Sequence, residues 1–398
     1  MLKFDTLNDV VVSKKVVLLR CDFNVPIKDG LIQDDTRIQA ALPTIRYLIS
    51  NYAKVLICTH FGSNENYSTQ IIAEYLKDYL NTRVHYVSDT IGQEVKTKLE
   101  EIEYGDVLVL ENVRFYKEES ANDFVFAREL ADLCDIYVNE AFSCSHRNHA
   151  SIVGVAEHVY KAVAGFLFIK EYNEINSLLE SKQHPCLAIL GGSKISTKIG
   201  IVRNLMAKVD AIFLCGGLLN TYLKVCKYNI GKSLFEDGYD EFVNEIRLHS
   251  NRCRVILPTY VNVEDVNNEF QTREIALIQD GDRILDIAFE GMKNLLETID
   301  SMKCLVWNGP LGYYEDDRFI QGSVVVAQAI AKATNSGRLH SFAGGGDVVA
   351  CINKAGVFED FSFISTSGGA CLKMLGGKEL EGVSALITNK KADPDSFR

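Results

Sequence analysis

Leu187 to Gly200 reads LAILGGSKISTKIG: an apolar run, two glycines, then two lysines. Leu187–Leu190 predicts a short buried strand, Gly191-Gly192 a tight turn and Ser193 a helix N-cap. On that helix Lys194 and Lys198, four residues apart, lie side by side next to an N-terminus whose free N–H groups favour an anion. Two like charges so placed repel unless something negative sits between them. The alternative is a solvated lysine face after an ordinary strand-to-helix turn. Either way the stretch is one βα unit, and the fold follows from how often the chain repeats it.

It does so from end to end, which predicts a parallel α/β architecture. In the first half the expected strands are Val16–Leu19, Val55–Cys58, Val84–Val87, Val107–Leu110 and Ile136–Val138, with helices over Thr36–Asn51, Thr69–Tyr79 and Asn122–Leu133. In the second they are Leu187–Leu190, Ala211–Cys215, Val255–Leu257, Cys304–Trp307, Leu339–Phe342 and Phe361–Ile364. Between the halves, FLFIKEYNEINSLLESKQHP predicts one long helix ended by Pro185, with Phe168, Tyr172, Ile175 and Leu178 or Leu179 on one face. The domain boundary is placed there. The polar end, TNKKADPDSFR, is expected either to be mobile or to pack back across the molecule.

The 398 residues, 47% hydrophobic and 24% charged, suit two globular domains rather than a disordered chain. A net charge of -11 argues against nucleic acid and anionic membranes as partners, so any anion site must be built locally. The N-terminus, MLKFDTLNDVVVSKK, has no secretory core, and the most apolar long segment, Val209 to Val225, contains Asp210, Asn220 and Lys224. Eleven scattered cysteines without a Cys-x-x-Cys pair are expected to be reduced core residues of a cytoplasmic protein.

In open parallel sheets, ligands bind beyond the strand C-terminal ends. There the first half offers charge: Asp22 and Asn24, His60, Arg114, and the cluster His146, Arg147 and His149, with Arg37 opening the first helix. That set suits a small polyanion. The second half offers glycine: Gly191-Gly192, Gly216-Gly217, Asn308-Gly309-Pro310-Leu311-Gly312, Gly344-Gly345-Gly346-Asp347 and Ser367-Gly368-Gly369. Such turns let backbone N–H groups approach phosphates and ribose, which suits a nucleotide. NIGKS at Asn229–Ser233 is not a P-loop, because Cys226 stands where the first glycine belongs. Val349 likewise breaks a dinucleotide G-x-G-x-x-G at Gly344. SCSHRNHAS has two histidines three apart, but Arg147 between them favours an anion over a metal. Asp347, after three glycines, is placed to meet a nucleotide-bound Mg²⁺, a helix cap being the alternative. Together the halves propose phosphoryl transfer between an anionic substrate and a nucleotide.

RCDFNVP with downstream DDTRI, ICTHFG, LENVRF, VNEAFSCSHRNHAS, ILGGSKISTKI, WNGPLGYYE, AGGGD and STSGGACLKML resemble, in order and across nearly the whole chain, phosphoglycerate kinase. The resemblance implies two Rossmann-like domains with parallel sheets, joined by a connecting helix and a hinge cleft. Residues 1–166 would bind 3-phosphoglycerate, 167–184 would connect, and 185–383 would bind the nucleotide, with 384–398 free to pack back on the first domain. Asp22, Asn24, Arg37, His60, Arg114, His146 and Arg147 would hold 3-phosphoglycerate. Gly191, Gly192, Lys194, Lys198, Gly216, Gly217, Asn308, Gly309, Glu315, Gly344, Gly345, Gly346, Asp347 and Val348 would hold ADP or ATP, with Asp347 toward Mg²⁺. Arg37, Lys194 and Lys198 would be catalytic.

The family commonly reads His-Leu-Gly-Arg-Pro where this chain has His60-Phe61-Gly62-Ser63-Asn64. Val348 replaces a threonine, Ser367 a glycine, and Lys373 and Gly376 two glutamates. These departures either tune affinity or mark a weakened, nucleotide-binding scaffold of the same fold. The expected state is a cytoplasmic monomer acting on small molecules.

Overall fold

The computed structural model describes residues 3–62, 67–180, 183–249 and 252–392, residues 391 and 392 by backbone alone. It divides into two compact units, Met1–Asn173 with Glu379–Arg398, and Glu174–Lys378. The first unit contains β1 (Val16–Cys21), the two-stranded hairpin β2 (Ile27–Lys28) and β3 (Leu31–Ile32), β4 (Lys54–Thr59), β5 (Val84–Tyr86), β6 (Val107–Val109), β7 (Ile136–Asn139) and β8 (Lys161–Ala164). Six of these form one parallel sheet in the order β5-β6-β4-β1-β7-β8. The second unit contains β9 (Cys186–Leu190), β10 (Ala211–Leu214), β11 (Arg254–Ile256), β12 (Tyr260–Glu264), β13 (Phe270–Glu274), β14 (Arg283–Ile287), β15 (Cys304–Asn308), β16 (His340–Gly344) and β17 (Phe363–Ser365). Its parallel sheet runs β11-β10-β9-β15-β16-β17, so the chain winds outward from β9 to one edge and then from β15 to the other. The order reverses between β9 and β15, and that is the point where a doubly wound sheet opens a crevice for a ligand.

Helices cover both faces of a parallel sheet, so its strands are apolar without alternation. β9 and β15 are buried at every position. Each unit has its own core, built on Val17, Leu19 and Ile57 in the first and on Leu187, Ile189, Phe213 and Trp307 in the second. All eleven predicted strands lie in these sheets. Three of the differences from the sequence reading bear on the main sheets and the connecting helix. β8, KAVA, is too short and alanine-rich to register as a strand. The antiparallel sheet β13-β12-β14 was missed because its outer strand FQTRE carries charged and polar side chains. The helix from Phe166 ends at Leu179, short of Pro185, where Lys208 Nζ donates to the Leu179 carbonyl at 3.0 Å and satisfies one of its free acceptors.

The helix Glu381–Ala392 belongs to the first unit. Asn389 accepts from the Ala162 amide on edge strand β8 at 2.8 Å and donates to the carbonyls of Ala156 and Val159 at 3.0 Å. It thereby covers an exposed sheet edge. Residues 393–398 of the polar tail lie outside the described residues. The cysteines are free thiols, all buried except the half-buried Cys134 and Cys226. No described helix is long and apolar enough to cross a membrane.

Candidate active site

In the first unit, β1, β4 and β7 are neighbours, so the residues that follow them converge. Asp22 leaves β1, His60 leaves β4, and the short helix Phe142–Cys144 follows β7. Arg37, on the first turn of the helix Thr36–Ser50, donates to Asp22 Oδ2 at 3.0 Å and to the Asn24 carbonyl at 3.1 Å. The Ser143 hydroxyl donates to the same carboxylate oxygen at 2.5 Å, and Asn24 N donates to the other at 3.2 Å. Gly62 N donates to the Asn24 side chain at 3.0 Å. Burial acts to raise the Asp22 pKa, yet His60, Arg37, Ser143 and the Asn24 amide together hold it below its ordinary value. Burial, with Arg20, Arg114 and Arg147 nearby, drives His60 well below 6.5, against the pull of Asp22.

Arg114 donates to the Gly62 carbonyl at 3.1 Å. Burial and the neighbouring Arg147 depress its pKa. Among the described residues neither arginine is ion-paired, so the site presents two uncompensated guanidinium groups. His146 Nδ1 donates to the Ser143 carbonyl at 2.9 Å, which joins it to the Asp22 cluster. His149 does not join: it lies 3.6 Å from Glu119. That separates the two histidines of SCSHRNHAS.

Beneath the cluster sits a network that the sequence reading did not single out. Arg20 is 1% exposed. Its Nε donates to Ser151 at 2.7 Å, Ser151 donates to Glu119 at 2.6 Å, and Arg20 Nη2 lies 3.5 Å from His60 Nδ1. Burial raises the Glu119 pKa, but His149, Arg20 and Ser151 bring it below the usual value. A charged residue inside the otherwise apolar strand VVLLRC was the available signal, because a buried charge has to be paired.

In the second unit the glycine turns fall into two kinds. Gly191, Gly216, Gly217 and Gly309 are crowded by the backbone of these same loops. A methyl at Gly309 would stand 2.3 Å from the Gly191 backbone, one at Gly191 2.2 Å from the Pro310 carbonyl, and one at Gly217 2.3 Å from the Ser193 carbonyl. Gly217 N also donates to the Gly192 carbonyl, and Gly191 N to that of Asn308, both at 2.9 Å. These three loops pack against each other at the switch point. By contrast a methyl at Gly346 or Gly368 would meet nothing within 4 Å. Those two turns leave room for a ligand beside the backbone.

The lysines are separated rather than paired. Ser193 caps no helix; the helix runs Ile199–Met206 with Lys198 itself at the N-cap. The cause is the buried Ile195, whose carbonyl accepts from both Lys198 N (2.8 Å) and Ile199 N (3.1 Å) and forms an extra turn. Lys194 is exposed on the Glu236 side, where its charge helps lower that carboxyl. Lys198 is 9% exposed and its ammonium is hydrogen-bonded to Asn308 Oδ1 at the end of β15. Burial depresses its pKa, with Asp347 among the groups opposing the shift. Asn308 in turn donates to the Gly344 carbonyl, which ties β15 to β16.

Asp347 lies exposed in the first turn of the helix Gly346–Lys354, and Tyr314 OH donates to it at 3.1 Å. Gly345 precedes it at φ 112°. Val348 is fully buried in the core, so only its backbone faces the turn. Glu315 is exposed on the segment before the helix Gln321–Asn335. NIGKS leads into no helix; Ser233 instead receives Ile284 N at 2.8 Å.

The family model for phosphoglycerate kinase matches residues 7–378. The chain belongs to the phosphoglycerate kinase family. It is 43% identical over 382 residues to phosphoglycerate kinase of Wolbachia sp. subsp. Drosophila simulans, covering 94% of this chain and 96% of that one. It is 41% identical over 389 residues to the Dictyoglomus turgidum protein, covering 96% and 97%. The solved phosphoglycerate kinase of Coxiella burnetii superposes with a TM-score of 0.87 at 35% identity, covering 97% of this chain and 99% of that one. Against the family pattern, Ser63 lies outside the described residues. Ser367 is buried at the turn before the helix Gly369–Leu375, its amide on the Ser365 hydroxyl at 3.2 Å. Gly376 ends that helix against Gly200 of the helix Ile199–Met206, whose Asn204 donates to the Leu375 carbonyl at 2.7 Å.

Proposed function

We propose that the first unit holds 3-phosphoglycerate through Asp22, Asn24, Arg37, His60, Arg114, His146 and Arg147. The nucleotide lies on the second, along the turns at Gly191-Gly192, Gly216-Gly217, Asn308-Gly309 and Gly344–Val348, with Lys194, Lys198 and Glu315 beside it. The enzyme reversibly transfers a phosphoryl group between 1,3-bisphosphoglycerate and ADP, giving 3-phosphoglycerate and ATP. The observation that carries the reading is Lys198: a nearly buried cation at the switch point, held by an amide oxygen and, among the described residues, ion-paired to no carboxylate.

No general base is needed. In the direction of ATP consumption the acceptor is a carboxylate of pKa about 3.5 to 4, already ionised at neutral pH. The chain has to position the reactants and cancel charge on the moving group and its flanking oxygens. Arg37 and Lys198 serve there, and the exposed Lys194 reaches the outer phosphates. Arg114 and Arg147 supply the unpaired charge for the substrate phosphate, and Asp22, fixed by Ser143, accepts from the substrate hydroxyl.

Asp347 fits a hard divalent cation: it is an exposed carboxylate beside an open glycine turn. Mg²⁺ brought by the nucleotide would be held there and would neutralise phosphate charge. The protein is proposed to be a cytoplasmic monomer with small-molecule partners, without nucleic acid or membrane; the net charge of -11 argues against those last two. The test is a coupled assay with 3-phosphoglycerate and MgATP on the purified chain and on Lys198→Ala. Turnover that depends on Lys198 supports the reading; nucleotide binding without turnover overturns it in favour of a scaffold.

A further inference from the structure

We propose that Asp22, His60 and Cys144 form a binding site for a soft divalent cation, Zn²⁺ in particular, within the first unit. Their donor atoms all lie within 4.8 Å of one another, and among the described residues no other set of three histidine, cysteine or acidic side chains does so. His60 Nδ1 is 3.9 Å from Cys144 Sγ and 3.8 Å from Asp22 Oδ1. Tetrahedral zinc, with Zn–S about 2.3 Å and Zn–N or Zn–O about 2.0 to 2.1 Å, separates nitrogen from sulfur by roughly 3.5 Å and from oxygen by roughly 3.4 Å. The two pairs that share His60 need to close by only a few tenths of an ångström, and the Asp22 and Cys144 donors start within 4.8 Å of each other.

The frame favours that closure. The ligands follow β1, β4 and β7, three adjacent strands of one sheet, so their backbones are fixed. Ser143 bonds Asp22 through Oδ2, while Oδ1 accepts only the long 3.2 Å bond from Asn24 N and lies 3.8 Å from His60 Nδ1. That is how a neighbouring hydrogen bond orients a metal-ligating carboxylate. Arg20 approaches the same His60 nitrogen only at 3.5 Å and keeps Ser151 and Glu119 when it yields. Arg37, 37% exposed, can turn to solvent.

On binding, the Cys144 S–H bond breaks, its proton passes to water and an S–Zn bond forms. Thiolate and carboxylate then cancel the two charges of the ion, so the arginines around the site face a neutral centre. A fourth position stays open to water or an anion. A thiolate and an imidazole select zinc, cobalt or cadmium over Mg²⁺, which demands oxygen ligands. This site is therefore distinct from the nucleotide-bound magnesium at Asp347.

The test is titration of the purified full chain with Zn²⁺ alone by calorimetry, and with Co²⁺ alone by absorbance, in a buffer free of phosphate. One equivalent is expected, with the near-ultraviolet charge-transfer band of a cobalt–thiolate bond. Cys144→Ser keeps the other ten cysteines, so it controls for adventitious thiols. It should abolish the band and weaken Zn²⁺ binding roughly 100-fold, since loss of even a supporting residue costs about 10 to 100-fold. An absent band in the unmodified chain, or a band that survives in Cys144→Ser, overturns the proposal. Should that variant fail to fold, X-ray absorption of the zinc-loaded unmodified chain decides: one sulfur among nitrogen and oxygen ligands supports it, and a shell of nitrogen and oxygen alone overturns it.

Discussion

Lys198 gives up most of its hydration and receives one amide oxygen in return. A cation in that position gains most when negative charge arrives beside it, and it gains more in the transition state than with bound nucleotide alone. Lys198→Ala is therefore expected to lower kcat roughly 100-fold or more, the scale seen when one electrostatic stabiliser is removed, while KM for MgATP changes far less. Steady-state kinetics separate the two, and a variant of near-normal kcat would remove Lys198 from the reaction. The sequence reading found this residue but gave it the wrong neighbour. Four-residue spacing paired it with Lys194 on a helix, whereas the buried Ile195 inserts a turn that sends one lysine inward and leaves the other in solvent. Asp347 is the complementary case, exposed and held by one tyrosine hydroxyl. Asp347→Ala should weaken nucleotide binding in the presence of Mg²⁺ and leave metal-free nucleotide binding nearly unchanged. Calorimetry under both conditions reads this, and equal losses would assign Asp347 to capping its helix.

At the scale of elements, the glycine turns were legible as a group but not individually. Composition shows that five strand ends carry glycine; it cannot show whether a missing side chain makes room for a ligand or for another loop. Gly191, Gly217 and Gly309 answer to neighbouring backbone, and Gly346 to open space. Gly309→Ala combines a φ of 93° with a methyl 2.3 Å from the Gly191 backbone. A non-glycine residue at such a φ costs about 1 to 3 kcal/mol by itself, so urea unfolding should show a loss at or above the middle of that range. Gly346→Ala has neither fault and should stay within about 0.5 kcal/mol of the parent. It should nevertheless bind MgATP less tightly, because its methyl occupies space that the phosphates would use. The reverse pattern, with Gly346→Ala unstable and its affinity intact, would sink the division of the turns into two kinds. Helix ends were similarly opaque: the stop at Leu179 depends on Lys208, which lies beyond the reach of any local signal.

For the molecule as a whole, the two parallel sheets could be read because strands buried on both faces are apolar throughout. The antiparallel sheet and β8 could not, since a half-exposed or alanine-built strand carries no such run. Nor could sequence show that each unit buries a carboxyl group beside a helix N-terminus. Glu140 accepts from Leu167 N at 3.1 Å at the start of the helix Phe166–Leu179, and Asp286 accepts from Gly322 N at 2.8 Å at the start of Gln321–Asn335. Glu140 Oε2 and Asp286 Oδ1 have no hydrogen-bond partner among the described residues. Burial, only partly offset by these bonds, pushes both pKa values up to about 7, from 4.5 and 3.8. Between the unfolded and folded values the native state keeps a proton that the unfolded chain has released, so stability falls as pH rises toward 7. His60 acts in the opposite sense: held neutral when buried, it costs stability as pH drops below about 6.5. Glu140→Gln isolates one contribution. The amide keeps an acceptor for Leu167 N and cannot ionise. The parent loses about 1.4 kcal/mol for each pH unit over which only its unfolded chain is ionised at this position, so the variant should gain on it by roughly 2 to 3 kcal/mol between about pH 5 and pH 8. Any fixed cost of the extra NH₂ group is the same at every pH and cancels in that slope. A stability difference that stays flat over the same interval would mean that Glu140 does not change its protonation on unfolding there, and the account of the buried carboxyl would fail.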